Sequence, residues 1–306
     1  MSKITELPTA ARSQWTARYP AWGTAIGALC VSASAVFIDL SHTSPGTASV
    51  YRCLLTLPPL LVLAYWESRS HRDAGPLPRA RWWLAVLAGA LFAGDMLLWT
   101  QAIAEIGAGL STVVVNLQVV LVPLLAWLVD RELVTRRYLL AVPVVLAGVV
   151  LTAGVLDGGA VGTDPVSGTI HAALAAVCYT GFLYLLRRGG HSGQIVRSYT
   201  LVTASALVCC AVLGTLWQGV DPAPGWAAIG WLALVALFGQ VTGWLLVARS
   251  TPHLPSHVGA VLLLLTPVGA VALGALVLAE RPTLLQLAGC VLVLGGAYLA
   301  AARSST

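Results

Sequence analysis

Charge is scarce in this sequence. Only 9% of its 306 residues are Asp, Glu, Lys or Arg, where a soluble domain carries about a quarter. With 58% of the residues hydrophobic, a water-soluble globule is excluded for want of polar surface, and the lipid bilayer remains as the solvent. The net charge of +5 does not mark a nucleic-acid partner, because the basic residues sit in short clusters between apolar runs and form no basic domain. Paired cysteines are also missing. Cys30, Cys53, Cys178, Cys209, Cys210 and Cys290 all lie inside apolar runs, with no CxxC and no metal-ligand spacing to His. Neither a disulfide framework nor a zinc site is indicated, and the six read as small packing residues. No HExxH, GxSxG, P-loop or strand-borne GxGxxG occurs, so no catalytic cluster, cofactor motif or nucleotide-driven pump is expected.

Apolar runs are what the chain has in abundance. A helix needs about 20 such residues to cross the hydrocarbon core. Ten spans fit, at 22–40, 46–65, 82–103, 107–129, 137–154, 165–187, 197–219, 225–248, 254–279 and 283–302. The linkers are short and polar or turn-forming, for example Ser41-His42-Thr43-Ser44-Pro45 and Glu280-Arg281-Pro282. They leave no room for a soluble domain. Val31-Ser32-Ala33-Ser34-Ala35 resembles a signal-peptidase site, but the apolar run continues through Val36, Phe37 and Ile38, so this reads as an uncleaved first span.

Lys and Arg set the orientation, because cytoplasmic loops retain them. With the N-terminus inside, fifteen of the 17 basic residues fall on the cytoplasmic side. They run from Lys3, Arg12 and Arg18 through the clusters at Arg69–Arg81, Arg131–Arg137 and Arg187–Arg197 to Arg249 and Arg303. Only Arg281 falls in an outer loop, and Arg52 lies within a span. Both termini are therefore expected in the cytoplasm.

The sequence also repeats itself. A shift of 148 residues places Glu132 on Glu280, Trp83-Leu84-Ala85 on Trp231-Leu232-Ala233, Gly148 on Gly296 and Tyr51 on Tyr199. Each copy holds five spans, an odd number, so the second copy runs inverted relative to the first. Inverted repeats are an architecture of secondary transporters, with the site at the repeat interface.

In the second copy, Leu265-Thr266-Pro267 is followed by Glu280-Arg281-Pro282-Thr283, Leu287-Ala288-Gly289 and Leu294-Gly295-Gly296. In the first, Arg52 follows Pro45, and Glu132 precedes Gly148. On these features the chain resembles the drug/metabolite transporter superfamily, in its EamA-like, ten-helix branch. The resemblance covers nearly the whole chain, with one departure: Val119 stands where Pro267 would align, and a proline appears later, at Pro123. It implies an all-α integral membrane protein of ten transmembrane helices, a first repeat at 22–154 and a second at 165–303. It specifies no substrate, since such families handle amino acids, other metabolites and drugs.

Charge within a span is costly, about 2.5–3.5 kcal/mol at the bilayer centre, so a retained one has a partner or a function. Arg52 and Asp95 are the candidates. Either they form an ion pair that holds the second and third spans together, or Asp95 binds a cationic group or a proton. Trp99 lies one helical turn after Asp95 on the same face, and Gln101 follows. Asn116 and Gln118 on the fourth span, Tyr179 and Tyr184 on the sixth, and Gln240 and Trp244 on the eighth complete the candidate cavity. Aromatic walls with a few polar groups suit a partly apolar ligand; interhelical hydrogen bonding is the competing use of such residues. Glu132, Glu280 and Arg281 read as helix-end and topology features, and His253 and His257 as solvated groups near a helix mouth.

The expected function is secondary transport, in the export direction, of a small amphipathic metabolite across the cytoplasmic membrane by alternating access, with proton coupling through Asp95 as an option. The alternatives are a lipid or lipid-linked sugar flippase and, from another class, a membrane-embedded enzyme or receptor. The expected partners are a small molecule and the bilayer, with monomer and homodimer both open.

Overall fold

The computed structural model describes residues 19–70, 78–131, 136–152, 163–189, 195–250, 253–254 and 262–301. Glu132 and His257 lie outside this set. Among the described residues all regular structure is helical, as a bilayer demands of a chain that must satisfy its own backbone. The helices are α1 (Pro20–Leu40), α2 (Pro45–Ser70), α3 (Arg79–Ile106), α4 (Ala108–Val115), α5 (Gln118–Asp130), α6 (Arg136–Thr152), α7 (Pro165–Gly189), α8 (Ile195–Trp217), α9 (Trp226–Leu234), α10 (Trp244–Ser250), α11 (Leu265–Val277) and α12 (Leu284–Ala301). A π-helical segment, Val235–Gly243, joins α9 to α10. Among the described residues, seven stretches are long and apolar enough to cross a membrane, and three shorter apolar helices accompany them. Their limits fall within a few residues of the expected spans, except for the ninth, expected at 254–279, where the apolar helix is Leu265–Val277. Proline opens α1, α2 and α7, where its missing N–H costs nothing.

The fourth span is not one straight helix. It breaks at Asn116 and Leu117, between α4 and α5. The Asn116 side chain donates from Nδ2 to the Thr112 carbonyl at 2.8 Å, while its backbone N–H turns to the carbonyl of Val113. The side chain thus takes over the bond that the helix would have made. The second repeat breaks at Leu264, before α11, and 264 is 116 shifted by 148. There the cause is Pro267 in the first turn, which has no N–H and crowds the carbonyl four residues back. Val119 occupies the equivalent place in the first repeat, so the two halves reach one shape by different chemistry. Backbone conformation repeats elsewhere too: Arg131 and Ala279, again 148 apart, are both left-handed, with φ of 59° and 53°.

The two repeats interleave. The closest pairings are α3 with α7 and α8, α6 with α12, α2 with α8, α1 with the π segment and with α11, and α4 with α11. These pairings come in matched sets under exchange of the repeats, as a pseudo-twofold axis requires. Small residues permit the close crossings. A Cβ added at Gly148 would lie 2.8 Å from the Gly289 carbonyl oxygen, and one at Gly27 2.9 Å from that of Gly243. Packing of this kind drives helix association where the lipid gives no hydrophobic gain.

The end of the bundle that carries residues 41–47, 105–109, 163–164, 217–225 and 278–283 is termed the upper end. The opposite end carries Glu67, Asp130, Arg188 and the start of α8.

Candidate functional site

A cavity of about 330 Å³ opens near the middle of the helices. Its lining reports on the symmetry. Val31 and Tyr179, Trp99 and Val247, Val115 and Leu263, Asn116 and Leu264, and Gln118 and Thr266 all face it, and each pair is 148 residues apart. The cavity therefore lies on the pseudo-twofold axis, beside both helix breaks. Broken helices at the membrane midplane are where transporters commonly build their sites.

The chemistry is not symmetric. Arg52, Asp95, Asn116 and Gln118, the charged and amide groups of the lining, all come from the first repeat. The second repeat contributes Tyr179, Trp244 and a set of aliphatic side chains, with Thr266 as its small polar group. Tyr179 meets Trp244 edge to face at 6.2 Å, and Tyr199 stacks behind Trp244 at 6.0 Å, so the aromatic wall is held rigid from outside the cavity.

Arg52 and Asp95 are each only 6% exposed. The direct ion pair considered from sequence is not formed: no salt-bridge contact joins the two among the described residues. Arg52 instead lies over the Trp99 ring, 5.1 Å from its centroid. That contact stabilises a desolvated cation by about 2 kcal/mol, but it satisfies none of its N–H groups. Nε and Nη1 of Arg52, Nε1 of Trp99 and Oε1 of Gln118 have no hydrogen-bond partner among the described residues.

Three sequence candidates lie elsewhere. Gln101 sits at the upper end, donating to Glu105 at 2.7 Å and accepting from Gln218 at 3.2 Å. Tyr184 lies toward the opposite end, where its hydroxyl donates to Asp130 at 2.8 Å. Gln240 is fully buried in the core and accepts the Tyr199 hydroxyl at 2.8 Å. Gln240 and Trp244 both pack against Tyr199, but Gln240 is taken up in the core by its hydrogen bond there, and only Trp244 lines the cavity. Phe92, Thr112 and Thr266 line it without having been expected. Thr266 was legible as the repeat partner of Gln118.

Both ends carry polar clasps. At the upper end the Glu280 carboxylate accepts the backbone N–H groups of Ala108 at 2.6 Å and Gly109 at 3.1 Å, capping α4 from the other repeat. Gly107, with φ of 85°, and Gly109 leave room for it, since an added Cβ would lie 2.6 and 2.9 Å from its oxygens. Burial pushes the Glu280 carboxyl above the usual glutamate range, and Asp39 adds to this. The two backbone donors pull against that rise without cancelling it. Close by, His171 Nδ1 meets Glu105 Oε2 at 2.7 Å. Ser44 donates to the Gly219 carbonyl at 2.8 Å, and Tyr51 to that of Pro222 at 2.6 Å. At the opposite end Arg188 joins Tyr184 on Asp130, and Glu67 accepts the N–H groups of Val196 at 3.1 Å and Arg197 at 2.9 Å. His253 and Arg281 are exposed.

The EamA-like transporter family model matches residues 20–154 and again 166–302, one match per repeat. The chain belongs to this family. It is a multi-pass membrane transporter of the drug/metabolite type, built from two inverted repeats. One solved crystal structure superposes on it with a TM-score of 0.57 and 19% sequence identity, covering 94% of this chain and 96% of the other. At that identity the likeness is one of fold. No curated protein matches the chain.

Proposed function

We propose that this transporter is a secondary exporter in the cytoplasmic membrane, moving a small amphipathic metabolite, such as an amino acid, a related compound or a drug, by alternating access through the central cavity. The observation that carries the proposal is a cavity on the repeat axis with a polar wall from one repeat and an aromatic and aliphatic wall from the other. A cargo with a charged head and an apolar body matches both. Ten spans with both termini in the cytoplasm fit the distribution of Lys and Arg, and make the upper end the outer face. The clasps at that end tie one repeat to the other, Glu280 to α4, Glu105 to His171, and Ser44 to Gly219. They are the contacts that an outward opening would break. Export follows the family resemblance, and Asp95 is the candidate coupling group.

Counterflow in proteoliposomes tests this, using a panel of amino acids, nucleosides and cationic drugs. Uptake of at least one small solute is expected, and its loss in Trp244→Ala would tie it to the cavity. Inactivity across the whole panel, with scrambling of labelled lipids, would replace the proposal with flippase activity. If Asp95→Asn transports with an unchanged pH profile, Asp95 takes no part in coupling.

A further inference from the structure

We propose that Cys53, Met96 and Cys210 form a binding site for a soft monovalent cation of the Cu(I) and Ag(I) class, separate from the central cavity. The three side chains come from α2, α3 and α8, and all are fully buried in one core cluster. The Cys53 thiol lies 3.4 Å from the Met96 sulfur, and the Cys210 thiol meets that of Cys53. Packing alone does not call for sulfur here. The positions 148 residues away are Leu201, Trp244 and Val62, so the other half of the frame is filled at these places by hydrocarbon and an indole. Met96 is the only methionine besides Met1. A chain that fills its core with Leu, Val and Ala thus sets its one internal thioether against a pair of thiols. Because α2 and α3 belong to the first repeat and α8 to the second, a bound ion would tie the repeats together.

The donor set selects the ion. Thiolate and thioether are soft ligands that suit Cu(I), whereas Mg²⁺ and Ca²⁺ take oxygen. Structural zinc takes four ligands in a tetrahedron, and among the described residues no group of three or more His, Cys, Asp and Glu could hold a metal. Metal–thiolate bonds are about 2.3 Å long, so three sulfurs around one ion stand about 4 Å apart. The Cys53–Met96 contact, now 3.4 Å, needs to widen by only about 0.5 Å. Each thiol gives up its proton to solvent on binding. Two thiolates on a monovalent ion then carry one negative charge. Arg52, next to Cys53 in the chain, is a buried cation whose Nε and Nη1 have no partner among the described residues, and it offsets that charge. Arg52 and Asp95 line the cavity and directly precede Cys53 and Met96, so on two helices the sulfurs lie one residue from the cavity wall.

Competition for Cu(I) against a chromophoric chelator tests the site, on the full-length protein in detergent under anaerobic, reducing conditions. The wild type should take up a single tight equivalent, and its X-ray absorption should show sulfur as the only bound element, at about 2.3 Å. Losing even an outer partner costs a metal site about 10- to 100-fold in affinity. Cys53→Ala and Cys210→Ala should therefore each lose at least about a hundredfold, and Met96→Leu, which keeps the volume, about tenfold. Cys290→Ala, buried in a different core cluster, should bind as the wild type does. The site is overturned by the lack of a tight equivalent in the wild type, by nitrogen or oxygen bound to the ion, or by unchanged affinity in monodisperse Cys53→Ala and Cys210→Ala. Should either cysteine variant fail to fold, Met96→Leu and the wild-type spectrum decide. None of these measurements involves cargo, so the site and the transport proposal stand or fall separately.

Discussion

Replacing Glu280 by alanine should loosen the upper end of α4 and little else. The carboxylate is the acceptor for two backbone N–H groups at the start of that helix. Each buried donor left without an acceptor costs about 1–3 kcal/mol, and the negative charge at a helix N-terminus adds about 0.3–1 kcal/mol. Part of this is recovered as water reaches the freed groups, so about 2–4 kcal/mol of local stability should be lost, roughly a thirtyfold to a thousandfold rise in local opening. Hydrogen exchange in lipid nanodiscs reads it directly: the amides of Ala108 to Val113 should exchange faster by that factor, while α6 and α12 keep the wild-type rate. Glu280→Gln keeps one acceptor oxygen and removes the buried charge, so the same amides should exchange more slowly than in Glu280→Ala. Gly109→Ala should act in the same direction, since its Cβ would lie 2.9 Å from Glu280 Oε2 and 3.0 Å from the Val271 Cα. The pH dependence has a definite sign. Burial raises the Glu280 pKa in the clasped form, so that form holds a proton more tightly than one with the carboxyl in water. Between the ordinary glutamate range and the raised value, falling pH favours the clasp and rising pH favours its release. After correction for intrinsic exchange chemistry, α4 should be better protected at about pH 5 than at about pH 7, and Glu280→Gln should abolish the difference. Unchanged exchange at Ala108 and Gly109 in Glu280→Ala would refute the whole chain of reasoning.

Tyr199→Phe strands the Gln240 carbonyl, whose side-chain amide nitrogen already lacks a partner. Thermal stability in detergent should fall by about 1–3 kcal/mol, while the ranking of transported solutes stays the same, because neither residue lines the cavity. Gly148→Ala forces a methyl group against the backbone of Gly289 and Val293, 2.8 Å away. It should destabilise the α6–α12 contact by about 1–3 kcal/mol, seen as faster exchange confined to those two helices. Topology is checked by membrane-impermeant maleimide on a background without the native cysteines: Ala223→Cys should label from outside the cell, and Arg188→Cys should not.

The frame was legible from hydropathy and self-similarity because both follow from the solvent. A bilayer sets span length, and a duplicated unit keeps its offset, so Glu132 and Glu280 announce a register that the backbone then repeats at Arg131 and Ala279. The face that Asp95 shares with Trp99 was equally readable, since α3 is a regular helix and a four-residue spacing holds within it. For Gln240 and Trp244 the shared face was not enough: both meet Tyr199, but the Tyr199 hydroxyl holds Gln240 in the core and only Trp244 borders the cavity. Spacing was silent about depth: Gln101 and Tyr184 lie on suitable helices but too near the ends, and each found a carboxylate there, Glu105 and Asp130. Glu280 was read correctly as belonging to a helix end. That the helix end it serves is α4, in the other repeat, required three dimensions.

Exchange of the two repeats would turn an outward-facing transporter of this fold into an inward-facing one, so identical repeats would make the two orientations degenerate. Here the degeneracy is lifted at the cavity itself. Where the first repeat has Arg52, Asp95 and Asn116, the second has Thr200, Gly243 and Leu264. Under alternating access, the resting orientation of the empty carrier is then a free energy stored in those mismatches, and the twofold frame contributes nothing to it. Mutations that make the halves more alike should move that balance toward even occupancy, whatever they do to affinity.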